Sequence, residues 1–394
     1  MRISVEKPGT VKLAALPPLA LYVHIPWCVR KCPYCDFNSH ERTGELPEVE
    51  YIEKLLVDLE SLLPSVWGRR LTSVFIGGGT PSLFSPESID RLLSGIRARL
   101  PLEPEAEITL EANPGTEAGR FKGFREAGVN RISIGVQSFD DAMLQALGRI
   151  HSAAEARRAI DAALASFDNV NLDLMYGLPA QTGAMARADL EQAVAGGVPH
   201  ISAYQLTIEP NTVFWSKPPQ LPEHDLCADM QLAAEALLRA AGYGHYETSA
   251  FAKPGRHSRH NLNYWRFGDY LGIGAGAHGK ISFPDRVTRH SRIKQPREYL
   301  LSGNSLAEDR VLSATEVPFE FMLNALRLVE GFEQKLFGER TGLLLNVIEK
   351  QLLEAENLGL LERDWQRIRP SARGRLFLNE LLELFLADES KDRG

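Results

Sequence analysis

Short apolar runs alternate with longer amphipathic segments through residues 21–210. Each apolar run suits one strand, and the segments between repeat apolar residues at three- and four-residue spacing, which is typical of helices. The predicted strands are LYVHI, SVFIGGGTPSLF, EITLEANP, RISIGVQSF, VNLDLMYGLP and HISAYQLTI. The clearest predicted helices are VEYIEKLLVDLESLL, PESIDRLLSGIRARL and AAEARRAIDAALA. The pattern therefore predicts six β/α units.

Repeated β/α units predict an α/β fold with parallel strands joined by right-handed crossovers. Six units make a partial TIM-like barrel, whereas a closed barrel has eight. The closed barrel stays open as an alternative, although the alternation ends near Pro210. In such folds the active residues lie where the strands end, because the loops there form the mouth.

The rest of the sequence suggests further divisions. Residues 1–20 are Pro-rich and are interpreted as an irregular lead-in, and residues 21–240 as the partial barrel. Residues 241–305 are interpreted as a connector, residues 306–386 as a helical domain, and residues 387–394 as a disordered tail. A winged-helix-like arrangement is one form that the helical domain could take. We expect this domain to cover the barrel mouth as a lid rather than to bind DNA.

The composition is that of an ordinary globular protein, with 44% hydrophobic and 24% charged residues among 394. The net charge of −7 offers nucleic acid no general attraction. No run reaches the roughly 18 apolar residues of a membrane span, so only transient contact with a membrane surface stays open. The N-terminus lacks a signal-peptide core, and the four cysteines show no disulfide-like pattern, so we expect a cytoplasmic location.

The most informative chemistry lies in residues 21–40, LYVHIPWCVRKCPYCDFNSH, which contain Cys28, Cys32 and Cys35. Three thiolates at this spacing can each bind one iron of a [4Fe–4S] cluster, whereas an electron-transfer cluster takes four cysteines. The fourth iron is then open to the amino and carboxylate groups of S-adenosylmethionine (SAM). The alternatives are a zinc site, a disulfide or buried structural thiols. Zinc normally needs four protein ligands, and Cys227 stands alone in a predicted helix.

This motif resembles the radical-SAM superfamily, in which the residue before the third cysteine is usually aromatic, as Tyr34 is here. The resemblance implies a six-unit partial barrel whose open side admits bulky substrates. It also implies contacts to SAM near the strand ends. The positions that match such contacts are Tyr22, Tyr34, Gly78, Gly79, Thr80, Glu111, Gln137, Arg149 and Asp173.

Several of these positions also have purely structural interpretations. The turn Gly77-Gly78-Gly79 lets the backbone approach a ligand, and the family uses this strand end for the amino group of SAM, but a tight turn also needs glycine. The polar residues at the other strand ends could instead cap helices or form salt bridges. His24, in the first strand, is either a group near the substrate or a structural histidine with satisfied hydrogen bonds.

The connector contains four histidines among several aromatic residues: His245, His257, His260 and His278. Its segment HNLNYW, residues 260–265, offers an imidazole that can bind iron and rings that can pack on a flat macrocycle. If the segment is helical, His260 and Tyr264 share a face. The predicted heme contacts are His260, Tyr264 and Trp265. The alternative is that the Tyr-Trp pair only anchors the connector to the barrel.

The whole chain resembles the oxygen-independent coproporphyrinogen III oxidase-like group, and within it most closely the HemW-type heme chaperones. In the oxidases a further cysteine follows the motif after a glycine, whereas here Asp36 and Phe37 follow Cys35. The Asp-Phe pair and the HNxxYW segment are features of the chaperones, and the N-terminus is shorter than that of the oxidases. The resemblance implies binding of a [4Fe–4S] cluster, SAM and heme, and delivery of heme to respiratory heme proteins.

Coproporphyrinogen III oxidation in porphyrin biosynthesis is the alternative function. In that reaction a 5′-deoxyadenosyl radical would abstract a hydrogen from a propionate side chain of the substrate. The sequence leaves open whether SAM is cleaved, and so whether the chain is an enzyme. It also leaves open whether the chain is a monomer or a homodimer and which protein accepts the heme.

Overall fold

The computed structural model describes residues 10–116 and 119–386. The predicted tail, residues 387–394, and the first part of the predicted lead-in, residues 1–9, lie outside the described residues. Within those ranges, a mixed sheet of twelve strands carries the larger hydrophobic core, and a smaller C-terminal unit is built around a second one.

The first half of the chain forms the parallel part of the sheet. Its strands are β1 (Leu19–Ile25), β2 (Trp27–Cys28), β3 (His40–Glu41), β4 (Leu71–Gly78), β5 (Leu102–Ala112), β6 (Arg131–Gln137), β7 (Val170–Tyr176) and β8 (His200–Gln205). Strands β1 and β4 to β8 are neighbours in that order, and all their pairings are parallel. The short strands β2 and β3 pair with each other outside the large sheet. The mixed α/β fold predicted from the sequence is confirmed.

Helices cover this parallel sheet. They are α1 (Glu48–Leu62), α2 (Pro86–Arg99), α3 (Phe121–Ala127), α4 (Asp141–Ala146), α5 (Ala153–Leu164), α6 (Gly183–Ala195), α7 (Val213–Ser216) and α8 (His224–Ala240), with 3-10 turns at Leu63–Ser65 and Pro81–Leu83. Ser152 and Glu155 form a complete capping box at the start of α5. None of the described helices has the length and apolar character needed to cross a membrane.

Residues 241–305 extend both edges of the large sheet, so they differ from the predicted connector. Their elements are β9 (Gly244–Glu247), β10 (Ala250–Ala252), α9 (Arg259–Trp265), β11 (Asp269–Ile273), β12 (His278–Phe283), β13 (Arg286–Arg292) and α10 (Pro296–Leu301), followed by β14 (Leu306–Val311). Strand β10 pairs with β8, and β11 pairs in parallel with β1. Since β14 pairs with β13, the predicted boundary at residue 306 falls inside the sheet. The sequence did not predict strands such as RVTRHSR, because their polar residues do not alternate with apolar ones.

The C-terminal unit is mainly helical, as predicted, but it also contains a small sheet. Its helices are α11 (Glu316–Ala325), α12 (Gln334–Thr341), α13 (Glu349–Asn357), α14 (Ala372–Leu376) and α15 (Leu378–Glu383), with a 3-10 turn at Leu345–Ile348. Its strands are β15 (Phe332–Glu333), β16 (Leu361–Arg363) and β17 (Arg367–Pro370), all antiparallel in the order β15-β17-β16. Helices combined with a three-stranded antiparallel sheet resemble the winged-helix-like arrangement that the sequence left open for this unit.

The described part of the lead-in packs on this C-terminal unit. Val11 and Leu13 are buried in its hydrophobic core. The backbone N–H of Lys12 donates to the carbonyl of Gly342 at 3.1 Å, and that of Leu13 donates to the carbonyl of Pro284 at 2.9 Å. The segment is irregular as predicted, yet it ties the N-terminal and C-terminal parts of the chain together.

Candidate functional site: two adjoining cavities at the strand ends

A cavity of about 350 Å³ lies where the parallel strands end, and we call it the first cavity. It brings together residues that are distant in sequence, from the cysteine loop after β1 to the loop after β8. All the predicted cluster and SAM residues except Tyr22 line it: Cys28, Cys32, Tyr34, Cys35, Gly78, Gly79, Thr80, Glu111, Gln137, Arg149 and Asp173.

The three thiols of the motif are half-buried, and each has a polar neighbour. The Thr80 hydroxyl donates to Sγ of Cys28 at 3.5 Å, and Nη1 of Arg149 donates to Sγ of Cys32 at 3.6 Å. Sγ of Cys35 lies 3.4 Å from the hydroxyl oxygen of Ser39. These contacts suit sulfur atoms that carry negative charge. In the described ranges, no group of three or more His, Cys, Asp or Glu side chains converges closely enough to hold a single metal ion.

Burial makes the thiols of Cys28 and Cys35 hard to ionise without a metal. It raises the pKa of Cys28 to about 11 and also raises the pKa of Cys35. A positively charged iron would reverse this effect, because thiolates rather than thiols bind metal. Cys227 is buried in α8 and does not line the first cavity, so the structure places it apart from the motif, as the sequence suggested.

Asn113 connects two of the cysteines through a chain of hydrogen bonds, and it was missed from the sequence. Its amide Nδ2 donates to the Thr80 hydroxyl at 2.8 Å, while its Oδ1 accepts from Nη2 of Arg149 at 2.7 Å. Since Thr80 and Arg149 each donate to a cysteine sulfur, a continuous path runs from Cys28 to Cys32. Asn113 follows β5 two residues after Glu111, which is the only sign in the sequence that it belongs to the site.

The glycine turn is shaped by neighbouring protein atoms. Gly78 has a φ of +118°, and a Cβ there would lie 2.6 Å from Cε1 of His24. A Cβ at Gly79 would lie 2.6 Å from the carbonyl oxygen of Trp27. Both glycines line the first cavity, and neighbouring protein atoms leave no room for a side chain at either position.

Two buried carboxyl groups face the first cavity beside this turn. Glu111 accepts a hydrogen bond from the backbone N–H of Gly78 at 3.0 Å. Burial, and next the charge of Asp173, raise the pKa of Glu111 to about 8. Asp173 accepts from the Ser133 hydroxyl at 2.9 Å and from the Asn171 amide at 2.8 Å, and burial raises its pKa too. A cationic group in this cavity would stabilise the ionised form of both.

Gln137 ends β6 in a strained conformation. Its φ is +69°, in the left-handed region that residues other than glycine rarely adopt. Its side chain lines the first cavity. Strain of this kind often accompanies a functional constraint, which agrees with the prediction that Gln137 belongs to the site.

The loop after β8 completes the first cavity, and none of its residues was predicted. The residues that line the cavity there are Tyr204, Gln205, Leu206, Thr207 and Glu209. The strand itself was predicted, so its end could have been included by the same rule that selected the other strand ends.

A second cavity, of about 700 Å³, adjoins the first. Its wall includes aromatic residues of β1, β4 and α9, among them Tyr22, Phe75, Tyr264 and Trp265. The two cavities share lining residues from the cysteine loop, the glycine turn and β5: Cys35, Asp36, Phe37, Ser39, Gly78 and Glu111. Phe37 lines both cavities and is 62% exposed, so its large apolar ring is accessible to a ligand.

His24 and Tyr22 form a hydrogen-bonded pair in the second cavity. Nε2 of His24 donates to the carbonyl oxygen of Asn38 at 2.9 Å, so Nδ1 accepts from the Tyr22 hydroxyl at 3.0 Å. Burial lowers the pKa of His24 to about 4. Both ring nitrogens are therefore satisfied by the protein, which is the structural interpretation of this histidine. Tyr22 does not line the first cavity, but it lines the second together with Gly78 and Glu111, two other predicted SAM residues.

His260 lies in helix α9 and lines the second cavity. Its Nδ1 lies 3.0 Å from the Ser73 hydroxyl oxygen, and its ring centroid is 5.0 Å from that of Phe75. Glu107 fixes the start of the helix by accepting from the backbone N–H groups of Arg259 and His260. Burial lowers the pKa of His260 to about 3, so its imidazole is neutral at physiological pH, as an iron ligand must be.

The aromatic residues of α9 make further contacts that hold the helix in place. Tyr264 stacks on Tyr270 with ring centroids 4.1 Å apart, and its ring centroid lies 6.4 Å from that of His260. The Arg327 guanidinium lies 4.6 Å from the centre of the Trp265 ring. The Tyr-Trp pair thus anchors the helix and lines the second cavity at the same time.

The other predicted elements lie elsewhere. His278 lines the second cavity, whereas His245 and His257 line neither cavity. No described residue after Lys294 lines either cavity, so the predicted lid is not formed by the described part of the C-terminal unit. That unit instead packs its hydrophobic core against residues such as Phe267 and Val287.

Comparison with family models agrees with this arrangement. Residues 22–193 match the model of the radical SAM superfamily, and residues 312–377 match the model of the HemN C-terminal domain. Among solved structures, the coproporphyrinogen III oxidase HemN from Escherichia coli, described as a radical SAM enzyme, has a TM-score of 0.79 at 23% identity. The alignment covers 94% of this chain and 90% of that chain. At this identity the likeness shows the fold alone.

Sequence relatives are much closer. The heme chaperone HemW of Escherichia coli (strain K12) is 54% identical over 381 residues, which cover 95% of this chain and 100% of the relative. The heme chaperone HemW of Haemophilus influenzae is 52% identical over 381 residues, which cover 95% of this chain and 99% of the relative.

Proposed function

Because the chain belongs to the HemW family of heme chaperones within the radical-SAM superfamily, we propose that it binds heme and delivers it to respiratory heme proteins. A [4Fe–4S] cluster and SAM are its resident cofactors. The high identity over the whole length of the relatives supports this function over that of the distantly related oxidase.

The first cavity has the donor set for both cofactors. Cys28, Cys32 and Cys35 would hold the cluster through their three thiolates, which is one ligand fewer than an electron-transfer cluster takes. The cluster, when bound and reduced, supplies an electron that can cleave a C–S bond of SAM. Arg149 and Thr80 stabilise negative charge on two of the sulfurs by donating hydrogen bonds to them.

Glu111 and Asp173 give the first cavity its preference for a cationic ligand. Both carboxyl groups are protonated more readily than usual because burial raises the pKa of each, and the charge of Asp173 raises the pKa of Glu111 further. A ligand with an amino and a sulfonium group supplies positive charge that stabilises their ionised forms. Gln137 and Asn113 add uncharged polar groups to the same wall.

The second cavity is the proposed heme site. The observation that carries this proposal is the position of His260, a buried neutral imidazole in the wall of a large cavity that shares Cys35 and Phe37 with the first. Since Nδ1 of His260 is engaged by Ser73, Nε2 is the nitrogen left for iron. Phe37, Phe75 and Tyr264 offer ring faces for a flat macrocycle.

An anaerobic assay tests the proposed function against the alternative of coproporphyrinogen III oxidation. The reconstituted protein is incubated with SAM, reductant and coproporphyrinogen III, and a parallel sample is titrated with heme. The proposal expects heme binding, seen as a Soret band, and no protoporphyrinogen. Turnover of coproporphyrinogen without heme binding would reject the proposal in favour of the oxidase.

A further inference from the structure

The outer rim of the second cavity carries a cluster of basic side chains that the cofactors of the first cavity do not use. The lysines of this cluster, Lys31 and Lys294, are exposed and line the second cavity. His40 and His278 line it beside them. The four residues come from the cysteine loop, β3, β12 and the loop after β13, so the fold alone brings them together.

These basic groups are close enough to affect one another. Burial lowers the pKa of His40, and the charge of Lys31 lowers it further. Burial likewise lowers the pKa of His278, and Lys294 again adds to the effect. Within the described ranges, neither lysine forms an ion pair with a carboxylate. Repulsion among these groups therefore persists in the free protein and would be relieved by an anion.

One amide organises this rim. Nδ2 of Asn38 donates to the carbonyl oxygens of Ala275 and Lys294, both at 2.8 Å, and its Oδ1 lies 3.2 Å from Nε2 of His40. Lys31 donates to the carbonyl oxygen of Phe37 at 3.2 Å. Asn38 thus ties the backbone of Lys294 to the cysteine loop, and the ammonium group of Lys31 bonds to the same loop at the surface.

The second cavity is therefore lined by aromatic rings at its inner wall and by basic side chains at its rim. His260 is only 5% exposed and lies among aromatic rings, whereas Lys31 and Lys294 are exposed. A ligand that fits this gradient has a flat apolar body and carboxylates along one edge. Heme has this form, with two propionates on one side of the macrocycle.

We propose that Lys31 and Lys294 bind the propionate carboxylates of heme at the rim of the second cavity and so orient its iron toward the inner wall. This inference rests on the proposed function and adds to it the orientation of the ligand and the residues that set it. Lysine ammonium groups suit this role, because a charge-assisted hydrogen bond to a carboxylate is stronger than a neutral one. Asp36 is an exposed carboxylate on the same rim, and its negative charge would repel the propionates. Neutralising Asp36 should therefore affect heme binding in the opposite direction to removing the lysines.

The test compares heme with heme dimethyl ester, which has the same macrocycle without the negative charges. Both are titrated into the reconstituted full chain, into the double variant Lys31→Met/Lys294→Met, and into Lys350→Met, a control in which an exposed lysine of α13 is removed. The double variant is expected to lose heme affinity by about tenfold or more, because it lacks both charge-assisted hydrogen bonds to the propionates. Its affinity for the ester and the heme affinity of Lys350→Met should equal those of the unaltered protein.

Two further readouts separate charge from shape. Asp36→Asn should retain or strengthen heme binding, and high salt should weaken heme binding in the unaltered protein more than in the double variant.

Unchanged heme affinity in the double variant would overturn the inference while leaving the proposed function in place, because heme would still bind. Equal loss of heme and ester would also overturn it, since shape rather than charge would then be at fault. If the unaltered chain bound neither ligand, the proposed function itself would fail, and this inference with it.

Discussion

Oδ1 of Asn113 lies 2.7 Å from Nη2 of Arg149 and accepts a hydrogen bond from it. Because Asn113 also donates to Thr80, this one amide links the two side chains that hydrogen-bond to Cys28 and Cys32. The contact makes Asn113 a positioning residue for the sulfur environment, although it touches no cysteine itself.

Asn113→Leu should keep the cluster but change its environment. The three thiols stay in place, so iron and sulfide content should match the unaltered protein. The loss of two partly buried hydrogen bonds should lower the free energy of unfolding by ~1–3 kcal/mol. The electron paramagnetic resonance spectrum of the reduced cluster should shift, because hydrogen bonds to the sulfurs tune its electronic state.

Asn130→Leu is a matched control for this variant. The Asn130 side chain likewise makes two hydrogen bonds, since its Oδ1 accepts from the backbone N–H of Ile108 and its Nδ2 donates to the carbonyl oxygen of Ala106, both at 2.8 Å, but it lines neither cavity. It should lose comparable stability without a spectral change. If both variants left the spectrum unaltered, the proposed role of Asn113 would be wrong.

Cluster assembly should require Cys28, Cys32 and Cys35 but not Cys227. Replacing any one of the first three by Ala removes a ligand from a site that has none to spare, whereas Cys227→Ala alters only a buried position of α8. Iron and sulfide analysis after anaerobic reconstitution measures this. Loss of the cluster in Cys227→Ala alone would contradict the assignment of the ligands.

Gly78→Ala should destabilise the fold rather than act on a ligand only. The residue needs a φ of +118°, and its new methyl group would meet the ring of His24, so we expect a loss of ~1–3 kcal/mol in the free energy of unfolding. Gly183→Ala is the control, because a Cβ there meets nothing within 4 Å and φ is ordinary. Denaturant unfolding compares the two, and equal stability would show that the turn adapts.

Glu111 should make the stability of the ligand-free protein fall as pH rises. Its pKa is raised to about 8 in the folded chain, from roughly 4.3 in an unfolded one, so folding takes up a proton between these values. The unfolded state then binds fewer protons, and the free energy of unfolding decreases with pH over that window. Glu111→Gln, which can still accept from Gly78, should flatten the decrease. Identical slopes for the two proteins, measured by denaturant unfolding across this window, would argue against the raised pKa.

Local sequence was sufficient for the features that depend on spacing or periodicity. The cysteine motif, the parallel strands and helix α9 all follow from residues close together in the chain. His260 and Tyr264 were expected to share a face if the segment was helical, and the structure places both in the wall of the second cavity.

Features that depend on long-range packing could not be predicted in this way. The contact between Asn113 and Arg149 joins residues on different strand ends, and nothing near Asn113 in the sequence indicates it. The close approach of His24 to Gly78 arises because β1 and β4 are neighbours in the sheet, and the sequence does not show that pairing. Strands β12 to β14 were missed because their polar residues do not alternate with apolar ones.

Titration of His260→Gln with heme tests the central claim most directly. Glutamine keeps a group that can bond to Ser73 but removes the imidazole, so uptake should weaken and the Soret band should shift. His257→Gln, in a histidine that lines neither cavity, should bind heme as the unaltered protein does. Thermal stability of each sample controls for misfolding. An unchanged spectrum and affinity in well-folded His260→Gln would contradict the assignment of His260 as the residue that binds heme iron.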